Sequence, residues 1–362
     1  MDTLLYNYQR QAVTQLESSA YSTTGNLGAE GETALFFERR ARSDFFFRDA
    51  LNAWLPLPEN EKFYNVYVPM TLMSYNTGGG KRSTQDRLRV NFAGNVNRRI
   101  GIGGKLDYLY SKGAYESQAV KDFTFGFTAY YKGDRYEVQA YYNNYNMLNK
   151  ENGGISDDLY ITDPAEIQGG VTKVDPKNIP TRLSAAHSRL KGQEFYMNHA
   201  YNVGYWKDEQ VNDTLTREVY IPVMKFLWTF DYKKDRHMFL NENASEARDF
   251  WENTYMNLSE TNDHTRYWTI ENTFGVQMIE GFQKWAKFGL SAYATYAINK
   301  FTMPIDTITG ATSLPPGLTP LPSGIEIPNK ATQNHLWVGG QIVKQKGSIL
   351  TYSADARFGL IG

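Results

Sequence analysis

The chain has 362 residues, a formal net charge of −1 and no cysteine. The near-zero charge argues against a nucleic-acid partner, and the lack of cysteine excludes disulfide and thiolate-metal chemistry. A helical membrane protein is excluded as well, because no stretch reaches the roughly 18–20 apolar residues that a spanning helix needs.

The N-terminal part of the chain shows no strand alternation. Residues 6–19 fit a short helix or a disordered N-terminal stretch, and residues 33–47 contain both phenylalanine and arginine in high proportion. We therefore predict two parts. The first is an N-terminal periplasmic or lumen-lying segment at residues 1–60, and the second is a β-barrel at residues 61–362.

From residue 61 onward, polar and apolar side chains alternate in runs that are separated by polar turns. A period of two places successive side chains on opposite faces of a strand. Pro69 marks the first run as an edge strand or a strand start. The runs predict about 11 strands, at residues 63–75, 87–97, 100–111, 122–131, 135–143, 194–205, 223–232, 268–278, 287–298, 336–342 and 350–360.

The connections between these runs differ in length in a regular way. The long ones, at residues 146–191, 233–265 and 302–332, all follow odd-numbered strands and therefore lie at one end. A transmembrane barrel has this asymmetry, with short periplasmic turns and long extracellular loops. We predict an all-β, antiparallel transmembrane β-barrel, incompletely closed in this fragment. The short turns lie near Arg98, Gly133, Gly281 and Gly347, with a medium one at residues 209–216.

One set of alternating side chains is predicted to face lipid as a continuous apolar band. A shift of one residue in register would put the charged set into lipid instead, so the pattern fixes which face is outside. The predicted lipid-facing residues are Leu88, Val90, Phe92, Ile102, Leu106, Phe125, Phe127, Val138, Phe226, Phe230, Leu290 and Phe358.

The opposite set of side chains is predicted to face an aqueous lumen. Its cations and anions balance, which argues against strong ion selectivity. The alternative is that these charges form cross-strand pairs in a plugged, non-conducting interior. The predicted lumen-facing charged residues are Arg87, Arg89, Lys105, Asp107, Asp122, Arg135, Glu137, Glu194, Lys225, Asp231, Glu271, Lys287, Asp355 and Arg357.

Catalytic and metal chemistry find little support in the sequence. Asp263 and His264 resemble an acid/base pair, but an outer-membrane hydrolase would need His264 or His335 to meet a carboxylate and a nucleophile in a cleft. Acidic residues between positions 157 and 163 could gather calcium, yet their spacing fits no defined calcium loop, so solvated turn acids are expected. We predict no catalytic residue, no metal and no cofactor. The acidic residues considered as calcium ligands are Asp157, Asp158 and Asp163.

Five phrases of the sequence are distinctive: GNLG at 25–28, FYNVYVPMTLMSY at 63–75, YSKGAY at 110–115, ENGGISDD at 151–158 and EGFQKWAKFGLSAYA at 280–294. Together they resemble the putative porins of Bacteroidota outer membranes. The resemblance spans most of residues 20–362 and implies an outer-membrane barrel. It also implies that the natural chain begins with a signal peptide, which residues 1–4 do not provide, and continues beyond residue 362 to a total of about sixteen strands or more.

The function predicted from these features is a porin-type channel for passive diffusion of small polar solutes. Its expected partners are outer-membrane lipid and those solutes, with no nucleic acid, and its expected location is the bacterial outer membrane. The alternative is a non-conducting barrel that acts in surface binding, or as a secretion accessory, through its long loops. A large ordered plug would favour that alternative.

Overall fold

The computed structural model describes residues 14, 17–212, 215–251, 261–283, 286–303, 329–345 and 350–361. These residues form two antiparallel sheets. The smaller sheet pairs β1 (Tyr21–Thr23) with β2 (Gly31–Thr33). The larger has 11 strands: β3 (Met70–Gly78), β4 (Gln85–Asn95), β5 (Ile100–Ser111), β6 (Val120–Lys132), β7 (Tyr136–Glu151), β8 (Ala186–Asn212), β9 (Leu215–Asn241), β10 (Thr261–Met278), β11 (Gly289–Thr302), β12 (Lys330–Lys344) and β13 (Tyr352–Ile361).

The strands of the large sheet follow one another in chain order, each antiparallel to the next. Within the described residues, β3 and β13 are its two edges, and the sheet is not closed. Polar turns make this order possible. Between β4 and β5, Asn97 Oδ1 accepts hydrogen bonds from the backbone N–H of Arg99 at 2.8 Å and of Ile100 at 2.9 Å, which is an Asx-turn. The predicted all-β, antiparallel, incompletely closed barrel wall is confirmed.

The antiparallel order gathers the connections at two ends, which we call the loop end and the turn end. The connections after β3, β5, β7, β9 and β11 lie at the loop end, and those after β4, β6, β8, β10 and β12 lie at the turn end. The three longest connections, after β7, β9 and β11, are all at the loop end. Most of the predicted loop 302–332 lies outside the described residues, as do the turn near Gly347 and most of the predicted helix 6–19. Short helices at the loop end are α1 (Leu159–Thr162), α2 (Pro164–Ile167) and α3 (Ala244–Phe250), with a 3-10 turn at Pro176–Asn178.

The predicted strand ends were wrong in several places. Strands β8 and β9 are each 27 residues long and reach well into the predicted loops 146–191 and 233–265. Several of their loop-end residues, such as His187, Arg189 and Arg236, are polar where the alternation would place apolar side chains, so the hydrogen-bonded ladder continues where apolar alternation has stopped. The first wall strand begins at Met70, directly after Pro69, rather than at residue 63. Proline lacks the N–H that a ladder needs, which explains the later start.

Residues 17–69, called here the N-terminal segment, pack against the large sheet. Besides the small sheet, the segment forms 3-10 turns at Phe36–Glu38, Phe46–Leu51 and Pro58–Asn60. In the described part of the chain, no helix is both long and apolar enough to cross a membrane. One hydrophobic core joins the segment to the sheet, and its buried members are Ala29, Phe45, Leu51, Ala53, Trp54, Leu55, Leu57, Leu109, Val120, Tyr145, Met147, Leu190 and Tyr267.

Candidate functional site

The register of the strands divides the large sheet into two faces. Asp107 lies opposite Arg89 and Thr124, whereas Leu106 lies opposite Val90. Because directly opposite residues of antiparallel strands share a face, the same division continues from β3 to β13. We call the face of Asp107 the polar face and the face of Leu106 the apolar face.

Every residue predicted to face lipid lies on the apolar face by register, from Leu88 on β4 to Phe358 on β13. None of them is buried. Phe127 is 61% exposed and Phe358 is 68% exposed. A soluble domain rarely leaves an apolar band of this extent uncovered, whereas a membrane-spanning sheet presents one to lipid.

The charged residues predicted to face the lumen divide into two groups. Arg135 and Lys287 lie in the connections before β7 and β11, so strand alternation assigns them no face. Arg135 instead places its Cζ 5.7 Å from the ring centroid of Tyr220. The others share the polar face by register: Arg87, Arg89, Lys105, Asp107, Asp122, Glu137, Glu194, Lys225, Asp231, Glu271, Asp355 and Arg357.

Many charges of the polar face are paired with one another. Arg87 meets Asp107 through two contacts, Nε to Oδ1 at 3.0 Å and Nη2 to Oδ2 at 2.5 Å. On β9, Lys233 lies 2.8 Å from the carboxylate of Asp231 and 3.5 Å from that of Glu194. These pairs neutralise much of the face locally and hold its side chains in fixed positions.

Aromatic side chains of the N-terminal segment stack on the polar face near the loop end. The rings of Phe45 and Tyr267 are nearly parallel with centroids 5.6 Å apart, and those of Phe47 and His237 are 4.1 Å apart. Arg87 places its Cζ 5.6 Å from the ring centroid of Trp54, a cation–π contact. The segment thus supplies the apolar cover for this half of the polar face.

A buried charge pair reinforces these stacked rings. Arg48 Nη1 lies 3.6 Å from Asp235 Oδ2, and the side chains are 10% and 0% exposed. Tyr145 donates its hydroxyl hydrogen bond to the same carboxylate. Burial alone would lower the pKa of Arg48. The electrostatic effect of its neighbours outweighs burial and raises the pKa above its ordinary value; these neighbours are Tyr145, Asp235, Glu194 and Asp49.

The segment then runs down the polar face toward the turn end. Glu61 accepts hydrogen bonds from Lys105 and from Asn143 Nδ2, the latter at 2.8 Å. Further down, Asn95 Nδ2 donates to Asn65 Oδ1 at 2.6 Å. The chain therefore crosses the polar face from the loop end before it enters β3 at the turn end.

The first phrase of the porin resemblance, residues 25–28, has a structural role at the loop end. Asn26 is buried and donates from Nδ2 to the carbonyls of Ser111 at 3.3 Å and Gln118 at 2.7 Å. Gly28 has φ +85°, and a Cβ there would lie 2.7 Å from Asp122 Oδ2. Only glycine fits both the left-handed backbone and this close approach.

In the described part of the chain, the candidate residues Asp263, His264 and His335 are not brought together. Asp263 and His264 are consecutive residues of β10, so their side chains lie on opposite faces of the sheet. His335 stacks on Trp337 with centroids 5.3 Å apart, and His199 stacks on Trp228 at 4.9 Å. The geometry thus assigns these rings to packing.

The acidic residues at 157–163 act as caps and turn formers. Asp157 Oδ1 accepts from the N–H of Leu159 at 2.9 Å, and Asp163 Oδ1 accepts from that of Glu166 at 3.3 Å at the start of α2. Among the described residues, no group of three or more His, Asp or Glu side chains could hold a metal ion.

Sequence reasoning did not find the residues that bind the N-terminal segment to the sheet. Arg48, Glu61 and Asn26 contact wall residues far away in the chain, and no local pattern marks those contacts. The concentration of phenylalanine and arginine in residues 33–47 was the one available signal. It predicted a periplasmic or lumen-lying segment outside the wall, but not the individual residues that the segment contacts.

Comparisons with known proteins found one family match and several distant structural similarities. The sequence profile of the family described as Putative porin matches residues 1–362. The siderophore receptor PirA of Acinetobacter baumannii is 10% identical with a TM-score of 0.49, and the match covers 80% of this chain and 38% of PirA. A mutant of the ferric enterobactin receptor PfeA of Pseudomonas aeruginosa is 9% identical with a TM-score of 0.47, with 80% and 39% covered. The chain thus spans about two fifths of the length of these receptors. None of the curated proteins matches it.

Proposed function

We propose that this protein, which belongs to the Putative porin family of the bacterial outer membrane, is a channel through which small polar solutes diffuse passively. The observation that carries this proposal is the division of the wall into an exposed apolar face and a charged polar face. In a membrane barrel the first contacts lipid and the second lines the water-filled path.

The polar face is suited to solutes that carry no strong charge of one sign. Its ion pairs, such as Arg87 with Asp107 and Lys225 with Glu137 at 3.4 Å, leave a lining of mixed dipoles rather than a ring of one charge. Rings of one sign are what select strongly between cations and anions. A path with paired charges discriminates by size.

The N-terminal segment sets the width of this path in the proposed channel. It lies on the polar face of β4 to β11 through stacked rings, the Arg48 and Asp235 pair and the Glu61 contacts. A chain segment of this kind occupies lumen that water and solute would otherwise fill. The segment is therefore the part of the molecule most able to limit conductance.

The same segment supports the second candidate function, a non-conducting barrel that acts through its long loops. Phe45 and Leu51 are buried, and Arg48 is enclosed with its partner, so the segment is packed as firmly as a core. If it fills the lumen of the intact barrel, no solute passes.

Single-channel recording of the full-length protein in planar bilayers separates the two candidates. We would compare the wild type with Arg48→Met, which removes the enclosed cation, and with Arg42→Met, which removes an exposed cation of the same segment. If the protein is a porin, all three proteins give conductance steps, and only the steps of Arg48→Met are larger than those of the wild type. Steps only in Arg48→Met indicate a plugged barrel. Silence in all three, despite correct insertion, would contradict the channel proposal.

A further inference from the structure

Three cations lie side by side on the apolar face near the loop end. Lys191 of β8 is directly opposite Arg236 of β9, and Arg236 is directly opposite Arg266 of β10. Adjacent strands are about 4.8 Å apart, so the three side chains start within roughly 10 Å of one another. Like charges directly opposite on neighbouring strands destabilise a sheet, so the row is unfavourable by itself.

A second row of the same face adds cations immediately beside the first. Lys234, Trp268 and Lys300 are opposite one another on β9, β10 and β11, and Lys300 Nζ lies 5.9 Å from the ring centroid of Trp268. On β8, Arg189 stands two residues beyond Lys191. We call Arg189, Lys191, Lys234, Arg236, Arg266 and Lys300 the cation patch.

The cation patch has no neutralising partner in the part of the chain that the structure describes. None of its members is within 4.0 Å of a described carboxylate, in contrast to the paired cations of the polar face. Lys191, Lys234, Arg236 and Arg266 are exposed. Arg189 Nε is buried and makes no hydrogen bond with a described residue. The patch thus has many free donors and a strong positive potential.

The patch lies at the border of the apolar band. Along β8, Lys191 is followed on the same face by Gln193 and then Phe195, and along β9, Lys234 is preceded by Tyr232 and Phe230. The turn end of this face has tyrosines at the corresponding border: Tyr131, Tyr136 and Tyr201. On β8 to β10, the loop-end border of the apolar band therefore carries a row of positive charges.

We propose that the cation patch binds the phosphate groups of an anionic lipid in the leaflet that surrounds the loop end. Lysine and arginine at a membrane border extend toward the headgroups and attract anionic lipid. Arginine adds paired hydrogen bonds to phosphate oxygens. Because the long loops are predicted to lie outside the cell, this is the outer leaflet. The inference rests on the proposed lipid contact of the apolar face.

Lipid binding by the refolded full-length protein tests this proposal. The probe is lipid A with both phosphates, titrated into phosphatidylcholine nanodiscs that contain the protein, with dephosphorylated lipid A and inorganic phosphate as comparisons. The test variant is Lys191→Gln with Arg236→Gln and Arg266→Gln. The matched control removes three cations at the turn end, by Arg98→Gln, Lys132→Gln and Lys344→Gln.

We expect the test variant to lose affinity for phosphorylated lipid A on the order of 100-fold, while the control variant binds like the wild type. Equal binding by the test variant, equal binding of dephosphorylated lipid A, or full competition by inorganic phosphate would overturn the proposal. If the triple variant does not fold, the single variants Arg236→Gln and Arg236→Lys replace it. We then expect Arg236→Gln to lose affinity for phosphorylated lipid A and Arg236→Lys to retain most of it. Single-channel conductance of the same protein preparations is recorded in planar bilayers. A failure of the channel proposal therefore appears as absent conductance, and a failure of the lipid proposal appears as unchanged lipid binding.

Discussion

Arg48 of the N-terminal segment and Asp235 of β9 form a charge pair that is almost fully enclosed, with Nη1 and Oδ2 3.6 Å apart. The pair joins residues that are remote in sequence. Two stacked ring pairs are close by: Tyr267, which stacks on Phe45, is directly opposite Asp235, and His237, which stacks on Phe47, is two residues along β9. Removal of one partner from such a pair leaves the other charge buried without compensation, at about 3–5 kcal/mol. The pair is therefore the contact on which docking of the segment depends most.

We expect Arg48→Met to release residues 43–57 from the wall, because Asp235 would be left buried without its Arg48 partner. Hydrogen exchange by mass spectrometry would show faster exchange in these residues. Arg42→Met, which alters an exposed cation nearby, should leave exchange unchanged. Adding Asp235→Asn to Arg48→Met should restore part of the protection, and a double variant worse than the single one would contradict this account.

Gly28→Ala should also weaken docking at the loop end. The added Cβ meets Asp122, Leu109 and Val120 at 2.7–2.8 Å, and φ of +85° strains any other residue. We expect a loss of about 1–3 kcal/mol in unfolding experiments. Gly80→Ala is the control, because a Cβ at Gly80 meets nothing within 4 Å. Equal stability of the two variants would show that the segment does not need Gly28.

Phe127→Arg should impair barrel assembly, whereas Thr128→Arg should be tolerated. Phe127 is on the apolar face and 61% exposed, and Thr128 is on the polar face opposite Gly103. A charge facing lipid at mid-bilayer costs roughly 2–4 kcal/mol, but one facing water costs little. Folding yield in lipid vesicles, measured by heat-modifiable migration on gels, checks this. Similar yields for both variants would argue against the assignment of the two faces.

Acid should loosen the contact between α3 and the β7–β8 connection. Glu246 accepts hydrogen bonds from Ser184 Oγ at 2.6 Å and Ser184 N at 2.9 Å, and these lower the pKa of Glu246 below its ordinary value of 4.5. The contact therefore stabilises this loop above pH 4.5 and is lost as pH falls through the lower pKa of the folded state. Hydrogen exchange of residues 180–186 at a series of acidic pH values measures it. Glu246→Gln should remove the pH dependence, and an unchanged profile would exclude Glu246 as its source.

Protease added to intact cells should cut the protein at the loop end and spare the turn end. The β7–β8 connection, residues 152–185, is long and contains only short helices, and the turn between β6 and β7 is tight, with Gly133 N bonded to Tyr136 O at 2.9 Å. Fragments mapped by mass spectrometry would identify the cut sites. Cleavage at residues 132–135 without cleavage in 152–185 would reverse the predicted orientation.

The sequence alone predicted eleven wall strands in antiparallel order and, within each regular run, which residues share a face. Alternation is a local property: once Leu106 and Asp107 are adjacent in a strand, their side chains must lie on opposite faces. The sheet then propagates that division through register, so a prediction made strand by strand holds across β3 to β13. Strand ends were predicted less well, since hydrogen bonding continues into residues such as His187 and Arg189 where the apolar signal is absent.

Only the tertiary structure decided which wall residues the N-terminal segment contacts and where cations without an ion-pair partner collect among the described residues. Arg48 meets Asp235, and Gly28 meets Asp122, across long stretches of chain that carry no mutual signal. Likewise Lys191, Arg236 and Arg266 are unremarkable in their own strands and become a row only when β8, β9 and β10 pair in one register. Periodicity specifies which way a side chain points, whereas the partner it meets depends on long-range packing of the whole sheet.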